Sequence, residues 1–300
     1  MSNIKQYCKR MGESVIHTTK GHIPDIININ GDIRKILDVG CADGSFTRYL
    51  SRKLENKKTN ITAIDAQYCL YTKNNEFEET VGNIHFDSKE FNEKFVDQIL
   101  NQGSLFDCIV FSSVMHEISS YSSDKKEQYT KTPIKKAIKL ASKILNPGGI
   151  IIVRDMIKPP HHRTKTVSVE FRDNDKMNGF LRFIQHCPYY SKTDKSSVSK
   201  FMAYSSDPNR IIFNIREDVL MEFLMCFTWG WGSFPREVRE KKFIMDKQSW
   251  LDAFESAGLQ TTLKVTTKEE YPKYFDKIIK VWDPRWIYPD TTCLFVAKKN

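Results

Sequence analysis

The sequence predicts an α/β protein with a largely parallel sheet. Three observations carry that reading. Short apolar runs recur at 36–39, 61–64, 108–111 and 150–153, each the length of a buried strand. Amphipathic stretches lie between them, as β-α-β crossovers require. Several runs end in a carboxylate or a glycine turn, where a parallel sheet opens its ligand crevice.

The first element is the run Ile36, Leu37 and Val39, with Asp38 and Gly40 at its end. Ala42, Asp43 and Gly44 form a tight turn, and Ser45 is a candidate N-cap for the helix that opens at Phe46. Strand, glycine turn and helix N-terminus together let backbone approach a ligand closely. A dinucleotide site uses G-x-G-x-x-G. Here only Gly40 and Gly44 are present, and Asp43 would repel a pyrophosphate while suiting an amino group. The second strand, Asn60–Ile64, ends at Asp65, 27 residues after Asp38, a suitable length for one β-α-β unit. A carboxylate at that position can accept both hydrogen bonds of a ribose diol.

The segment Asp38-Val-Gly-Cys-Ala-Asp-Gly44 resembles motif I of the class I S-adenosylmethionine (SAM)-dependent methyltransferases, D/E-x-G-x-G-x-G, with Ala42 in place of the middle glycine. The resemblance implies a Rossmann-like, seven-stranded, mostly parallel sheet with helices on both faces, and SAM as cofactor. It places Asp38, Gly40, Cys41, Ala42, Asp43 and Gly44 against the cofactor, with Asp65 and Ala66 at the ribose. The third strand ends at Asp87 and Ser88, which the family likeness puts near the adenine. The fourth strand, Phe106–Phe111, opens with Phe-Asp and runs into Ser112-Ser113-Val-Met-His116-Glu117, similar to the family's x-x-x-L-H-E loop. Ser112 and Ser113 are then expected by the methionine portion, and His116 and Glu117 at the acceptor. Methyl transfer is mainly an alignment problem. His116 and Glu117 therefore have two open readings, general base or structural packing. Leu145-Asn-Pro-Gly-Gly149 before a β-branched fifth strand also resembles the family pattern. Thr261–Thr266 and Thr292–Lys298 supply strands six and seven, the seventh expected antiparallel between five and six.

The expected organisation is an N-terminal helical segment at 1–34, a cofactor-binding core at 35–155 and 248–300, and an insertion at 156–247 after strand five. In the first segment Tyr7, Met11, Val15 and Ile16 have partly helical spacing. Tyr7, Lys20 and His22 are secondary candidates for the site. The insertion is basic and aromatic, and residues 217–228 read as a mostly buried helix. Lying over the crevice, it is expected to form the acceptor pocket. Trp229, Trp231 and Phe234 could stack on a ring or form the insertion's own core. Tyr121, in a polar loop, and Arg154, at the end of strand five, complete the acceptor-side candidates. His161-His162 lacks partners at metal-ligand spacing, and no metal is expected.

The formal charge is +9 and the sequence pI about 9.0, which permits phosphate contacts but equally describes a solvated basic surface. Seven cysteines are scattered singly, without a C-x-x-C pair. That fits reduced thiols in a cytoplasmic protein rather than a disulfide framework. No apolar run is long enough to span a membrane, and the N-terminus has no apolar signal core. The D/N/S-P-P-Y/F motif of amino-directed DNA enzymes, the cysteine nucleophile of cytosine-C5 enzymes and the K-D-K-E set of ribose 2′-O enzymes are all missing. Two acceptor classes stay open, a small metabolite or nucleotide and an RNA, including its 5′ end. A catalytically inactive binding or scaffold subunit, working with a partner protein, is the alternative from another class.

Overall fold

A computed structural model describes residues 18–55, 58–66, 78–159, 165–190, 202–204, 211–269 and 271–300. The expectations for Tyr7, Met11, Val15, Ile16, His161 and His162 fall outside these residues.

The main sheet has eight strands in the order β10-β12-β6-β5-β1-β2-β4-β3. They are β1 (Lys35–Val39), β2 (Asn60–Ile64), β3 (Glu78–Val81), β4 (Ile84–Asp87), β5 (Phe106–Ser112), β6 (Leu145–Met156), β10 (Leu259–Thr267) and β12 (Thr292–Lys299). The seven expected strands are present, and β3 adds an antiparallel edge beside β4. The last strand, β12, runs antiparallel between β6 and β10, as the resemblance implied. Strand order reverses between β1 and β5, so the ends of these two strands frame the ligand crevice.

The apolar runs are explained by burial on both faces. Leu37, Val39, Ile109, Phe111, Ile151 and Val153 face helices α3 (Glu93–Gln102), α5 (Thr132–Lys143) and α8 (Lys247–Glu255). Ile36, Cys108, Val110, Ile150 and Ile152 face α1 (Ile23–Ile29) and α2 (Ser45–Lys53) on the other side. Side chains alternate with period two, so a strand covered twice must be apolar throughout. Cys41, Cys108, Cys187, Cys226 and Cys293 are free and buried, whereas Cys8 and Cys69 lie outside the described residues. Among the described residues no helix is long and apolar enough to cross a membrane.

Between β6 and β10 the chain builds three strands of a second, four-stranded antiparallel sheet, β11-β7-β9-β8. Its strands are β7 (Thr166–Phe171), β8 (Met202–Tyr204), β9 (Ile211–Arg216) and β11 (Ile279–Val281). Helices α6 (Asn174–His186) and α7 (Glu217–Phe227) pack on it. Phe171, Phe180, Phe213 and Phe223 interlock with ring centroids 5.1–6.3 Å apart. Burying each such ring stabilises the fold by roughly 1.5–3 kcal/mol. The 268–290 connection, read from sequence as a link within the core, contributes β11 to this second sheet. Phe275, Ile279 and Trp286 bury themselves there, and Trp286 Nε1 donates to Glu217 Oε1 at 2.5 Å.

Candidate active site

The turn after β1 is held by main-chain bonds and by neighbouring strand ends. Gly40 and Cys41 N–H donate to the Ile64 carbonyl at 2.8 and 3.1 Å, and Ala42 N–H donates to Asp65 Oδ2 at 3.0 Å. Gly44 has φ +75°, and a Cβ there would lie 2.6 Å from Phe86 Cε1. Gly40 has φ +76°, and its Cβ would press to 2.4 Å from Val114 Cγ2. Both positions therefore require glycine, for conformation and for space. Helix α2 starts one step earlier than the sequence suggests. Gly44 occupies the cap position. Asp43 reaches forward to accept the Ser45 N–H at 3.0 Å and the Ser45 hydroxyl at 2.8 Å. The Asp43 carboxylate, expected to meet an amino group, is thus engaged in capping.

This turn floors a cavity of about 620 Å³ that extends to the second sheet's helices. Asp38, Gly40, Cys41, Ala42, Asp43, Asp65, Ala66, Ser112, Ser113, His116, Glu117, Tyr121, Arg154 and Trp229 all line it, as does Lys20. Gly44 sits just behind the wall. Asp87 and Ser88 do not reach it. The Asp87 carboxylate pairs with Lys89 at 2.7 Å, and Lys89, Glu90 and Phe91 form that part of the wall. Trp231 and Phe234 are also absent from the cavity, contrary to expectation. Phe234 is buried against Phe227 and Trp231 in the second core. The Trp231 indole N–H donates to Asp175 at 2.8 Å, and Arg182 covers its ring at 5.2 Å. Gly230 intervenes in a left-handed turn (φ +77°), which sends Trp229 to the cavity and Trp231 to the outer helix. His22 does not line the cavity either.

The floor carries an unusual load of buried charge. Burial pushes Asp38 up to about 6, against the opposing effects of the Thr47 hydroxyl, which donates to it at 2.6 Å, and of Lys20. Burial, then the Arg154 guanidinium, push Lys20 down to about 8. Arg154 is a pin, not an open acceptor contact. Its guanidinium binds Glu269 and the Ser113 hydroxyl, and its Nε donates to Thr19 Oγ1 at 3.3 Å. Glu269 also accepts from the Thr19 hydroxyl and N–H, so the chain at 18–22 is tied over the floor.

The far wall is organised around His116, on the short helix α4 (Met115–Ser120) after β5. Its Nδ1 lies 2.8 Å from Asp155 Oδ1, and Asp155 also accepts the N–H groups of Met115 and Met156. Its Nε2 lies 3.3 Å from Lys242 Nζ. Burial presses the His116 pKa down, but the Asp155 carboxylate outweighs it and the net direction is up. Lys242 is itself buried, and Glu237 and Glu240, at 2.8 and 2.5 Å, hold it charged. Arg236 and the Tyr121 hydroxyl complete the cluster on Glu240, at 3.5 and 3.1 Å. Burial and then the Glu240 carboxylate raise Glu117 to about 8. Atoms of His116, Glu117 and Glu240 lie within 4.8 Å of one another, a spacing a cation could bridge, but the Lys242 ammonium already provides one there.

Sequence reasoning missed Glu237, Glu240, Lys242, Glu269 and the role of Asp155. The run Glu237-Val-Arg-Glu-Lys-Lys242 reads as a solvated face, yet Glu237 and Glu240 are 1% exposed and Lys242 4%. One signal was present. Glu222 is the one charged residue in the apolar run 219–227, and its carboxylate accepts the N–H groups of Lys242 and Phe243 at 2.9 Å each, fixing that stretch of chain.

The profile of a family described as "Methyltransferase domain" matches residues 15–195. No curated protein sequence matches the chain. Among solved structures the chain is similar to an O-methyltransferase family protein from Burkholderia thailandensis, with 9% identity and TM-score 0.46 over 97% of this chain and 58% of that one. It is similar to human N-acetylserotonin methyltransferase in complex with SAM, with 10% identity and TM-score 0.48 over 99% of this chain and 56% of that one. A SAM-dependent methyltransferase from Methanosarcina mazei gives 14% identity and TM-score 0.41 over 92% and 97%. The chain thus spans little more than half the length of the first two.

Proposed function

The chain belongs to the methyltransferase-domain family, and on that premise we propose that it transfers a methyl group from SAM to a small molecule enclosed beneath the second sheet. The observation that carries this is the continuity of one cavity, from the Gly40–Asp43 turn to Glu117, Trp229 and Glu240. Its volume of about 620 Å³ falls within the ~300–1,000 Å³ usual for small-molecule sites.

The chemistry of the floor fits the cofactor. A positive-φ turn at Gly40, Ala42 and Gly44 exposes main chain, and Asp65 stands at the end of β2 beside it. The Ser112 hydroxyl is buried without a hydrogen-bond partner among the described residues, and Ser112 is a residue of the cavity wall. A buried hydroxyl left unpaired is costly and marks a place for a polar ligand atom. When bound, SAM supplies an activated methyl on a sulfonium. The protein's part is to orient and to exclude water. Asp65 accepts from ribose hydroxyls, Ser112 and Ser113 flank the methionine portion, and the second sheet's helices close the acceptor in. Arg154 holds Ser113, with φ +62°, in its strained conformation.

Calorimetric titration with SAM and S-adenosylhomocysteine, followed by screening of metabolite pools with labelled SAM, tests the proposal. Binding by the parent and transfer to a small molecule that barely responds to salt is the expected outcome. Transfer to RNA with a steep salt dependence would replace the acceptor. Cofactor binding without transfer to either class would indicate a binding subunit.

A further inference from the structure

We propose that the acceptor is an amine, whose ammonium docks on the carboxyl group of Glu117 and gives it the proton that must leave before methylation. This rests on the methyltransferase reading above and names its substrate class.

The pairing on the far wall singles out Glu117. Lys242 is bound by Glu237 and Glu240 from the second sheet's side. Arg236 is bound by the same two carboxylates, and the Tyr121 hydroxyl by Glu240. The Glu117 carboxyl makes no hydrogen bond or ion pair among the described residues, although it lies on the cavity wall within 4.8 Å of Glu240 and His116 atoms. His116 is a poor base in either protonation state. As imidazolium it has no lone pair. As neutral imidazole, with Nδ1–H turned to Asp155, its Nε2 lone pair accepts from Lys242. His116 is therefore a positioning residue that fixes α4 to β6 and carries Glu117 into the cavity.

Charge then selects the ligand. Burial, and then the Glu240 carboxylate, disfavour a second negative charge here, so Glu117 keeps a proton near neutral pH. A cationic head group replaces that proton and relieves the repulsion. An acceptor bearing a carboxylate or phosphate would face Glu117, Glu237 and Glu240, with Lys242 and Arg236 already committed to two of them. Trp229 also lines the cavity and adds an aromatic side chain of the kind that attracts an ammonium. In the transfer step the ammonium first yields a proton to the Glu117 carboxylate, which passes it to water. The nitrogen lone pair then forms the N–C bond as the C–S bond breaks. That bonding pair stays on sulfur, leaving a neutral thioether, and the product leaves as the N-methylammonium, which keeps its remaining N–H protons and the positive charge that sulfur lost. A carboxyl titrating near 8 is matched to that task.

The test uses the full chain saturated with S-adenosylhomocysteine and three probes of one shape: phenethylamine, 2-phenylethanol and phenylacetate. Calorimetry at pH 7 in two buffers of different protonation heat reads affinity and proton release together. Phenethylamine is expected to bind at least about tenfold tighter than either analogue, releasing up to about one proton per molecule bound. Glu117→Gln is expected to remove both the preference and the proton release while keeping S-adenosylhomocysteine affinity. With labelled SAM, it is expected to slow transfer to phenethylamine by about 100-fold or more. An amine that binds no better than the alcohol or the acid, no binding of any probe, or proton release that survives Glu117→Gln would overturn the proposal. A parent that fails to bind S-adenosylhomocysteine would instead sink the methyltransferase reading beneath it.

Discussion

The turn on the floor of the cavity, between residues 38 and 66, is set by main-chain conformation, whereas the far wall is built from charged side chains at positions 116, 117, 237, 240 and 242, with Asp155 behind His116. The floor works by conformation. Its turn needs left-handed φ at three places and tolerates almost nothing bulky. The far wall works by compensation, each buried charge being held by another. A turn fails when a side chain is added, and a charge cluster fails when one is removed.

That contrast can be broken most forcefully at the wall. Lys242→Met leaves Glu237 and Glu240 buried without the buried cation they share, with only the partly exposed Arg236 remaining, and is expected to cost about 3–5 kcal/mol of stability in chemical denaturation. A loss below about 1 kcal/mol would mean these carboxylates are solvated, and the wall would not be a compensated cluster. On the floor, Gly44→Val should weaken SAM binding by about 100-fold or more in calorimetry, since strain at positive φ adds to the contact with Phe86. Parent-like binding would remove the turn from the cofactor site. Asp65→Ala should have a smaller effect, about tenfold in SAM affinity, because Ala42 N–H and the ribose lose the same carboxylate. If affinity is unchanged, Asp65 only shapes the turn.

A gentler probe is pH. His116 has a raised pKa in the folded state, so its contribution is full below the ordinary imidazole value of 6.5 and fades as pH rises through the folded value. Asp155 is lowered, so its contribution is full above the ordinary carboxylate value of 3.8 and fades as pH falls through the folded value. The stability difference between parent and Asp155→Asn should therefore be greatest between pH 3.8 and 6.5 and shrink on both sides. A difference that is flat from pH 4 to 9 would show that the pair is not ionic. The smallest contrast separates the two tryptophans. Trp229→Ala should raise the acceptor KM a few-fold with little change in Tm. Trp231→Ala should lower Tm by a few degrees, from about 1 kcal/mol of lost packing, with KM unchanged. The reverse result would exchange their places.

The floor was legible because its chemistry is local. Asp38, Gly40, Gly44 and Asp65 are spaced by one strand, one turn and one crossover, and backbone geometry ties that spacing to a single arrangement. The alternation of buried strands and amphipathic helices followed for the same reason, whereas the antiparallel last strand came from the family resemblance. Asp87 was placed near the adenine by the family likeness, but a lysine two positions on captures it.

Only the tertiary structure decided the far wall. Trp229 and Trp231 are identical by sequence criteria, and one left-handed glycine between them assigns one to the cavity and the other to an outer helix. Glu237, Glu240 and Lys242 have the pattern of a solvated face, and become an interior cluster only because the second sheet's helices lower them onto His116 and Glu117, some 120 residues earlier. Local pattern fixes which groups a segment offers. Burial and pairing are long-range properties, set by what else the chain brings to the same place.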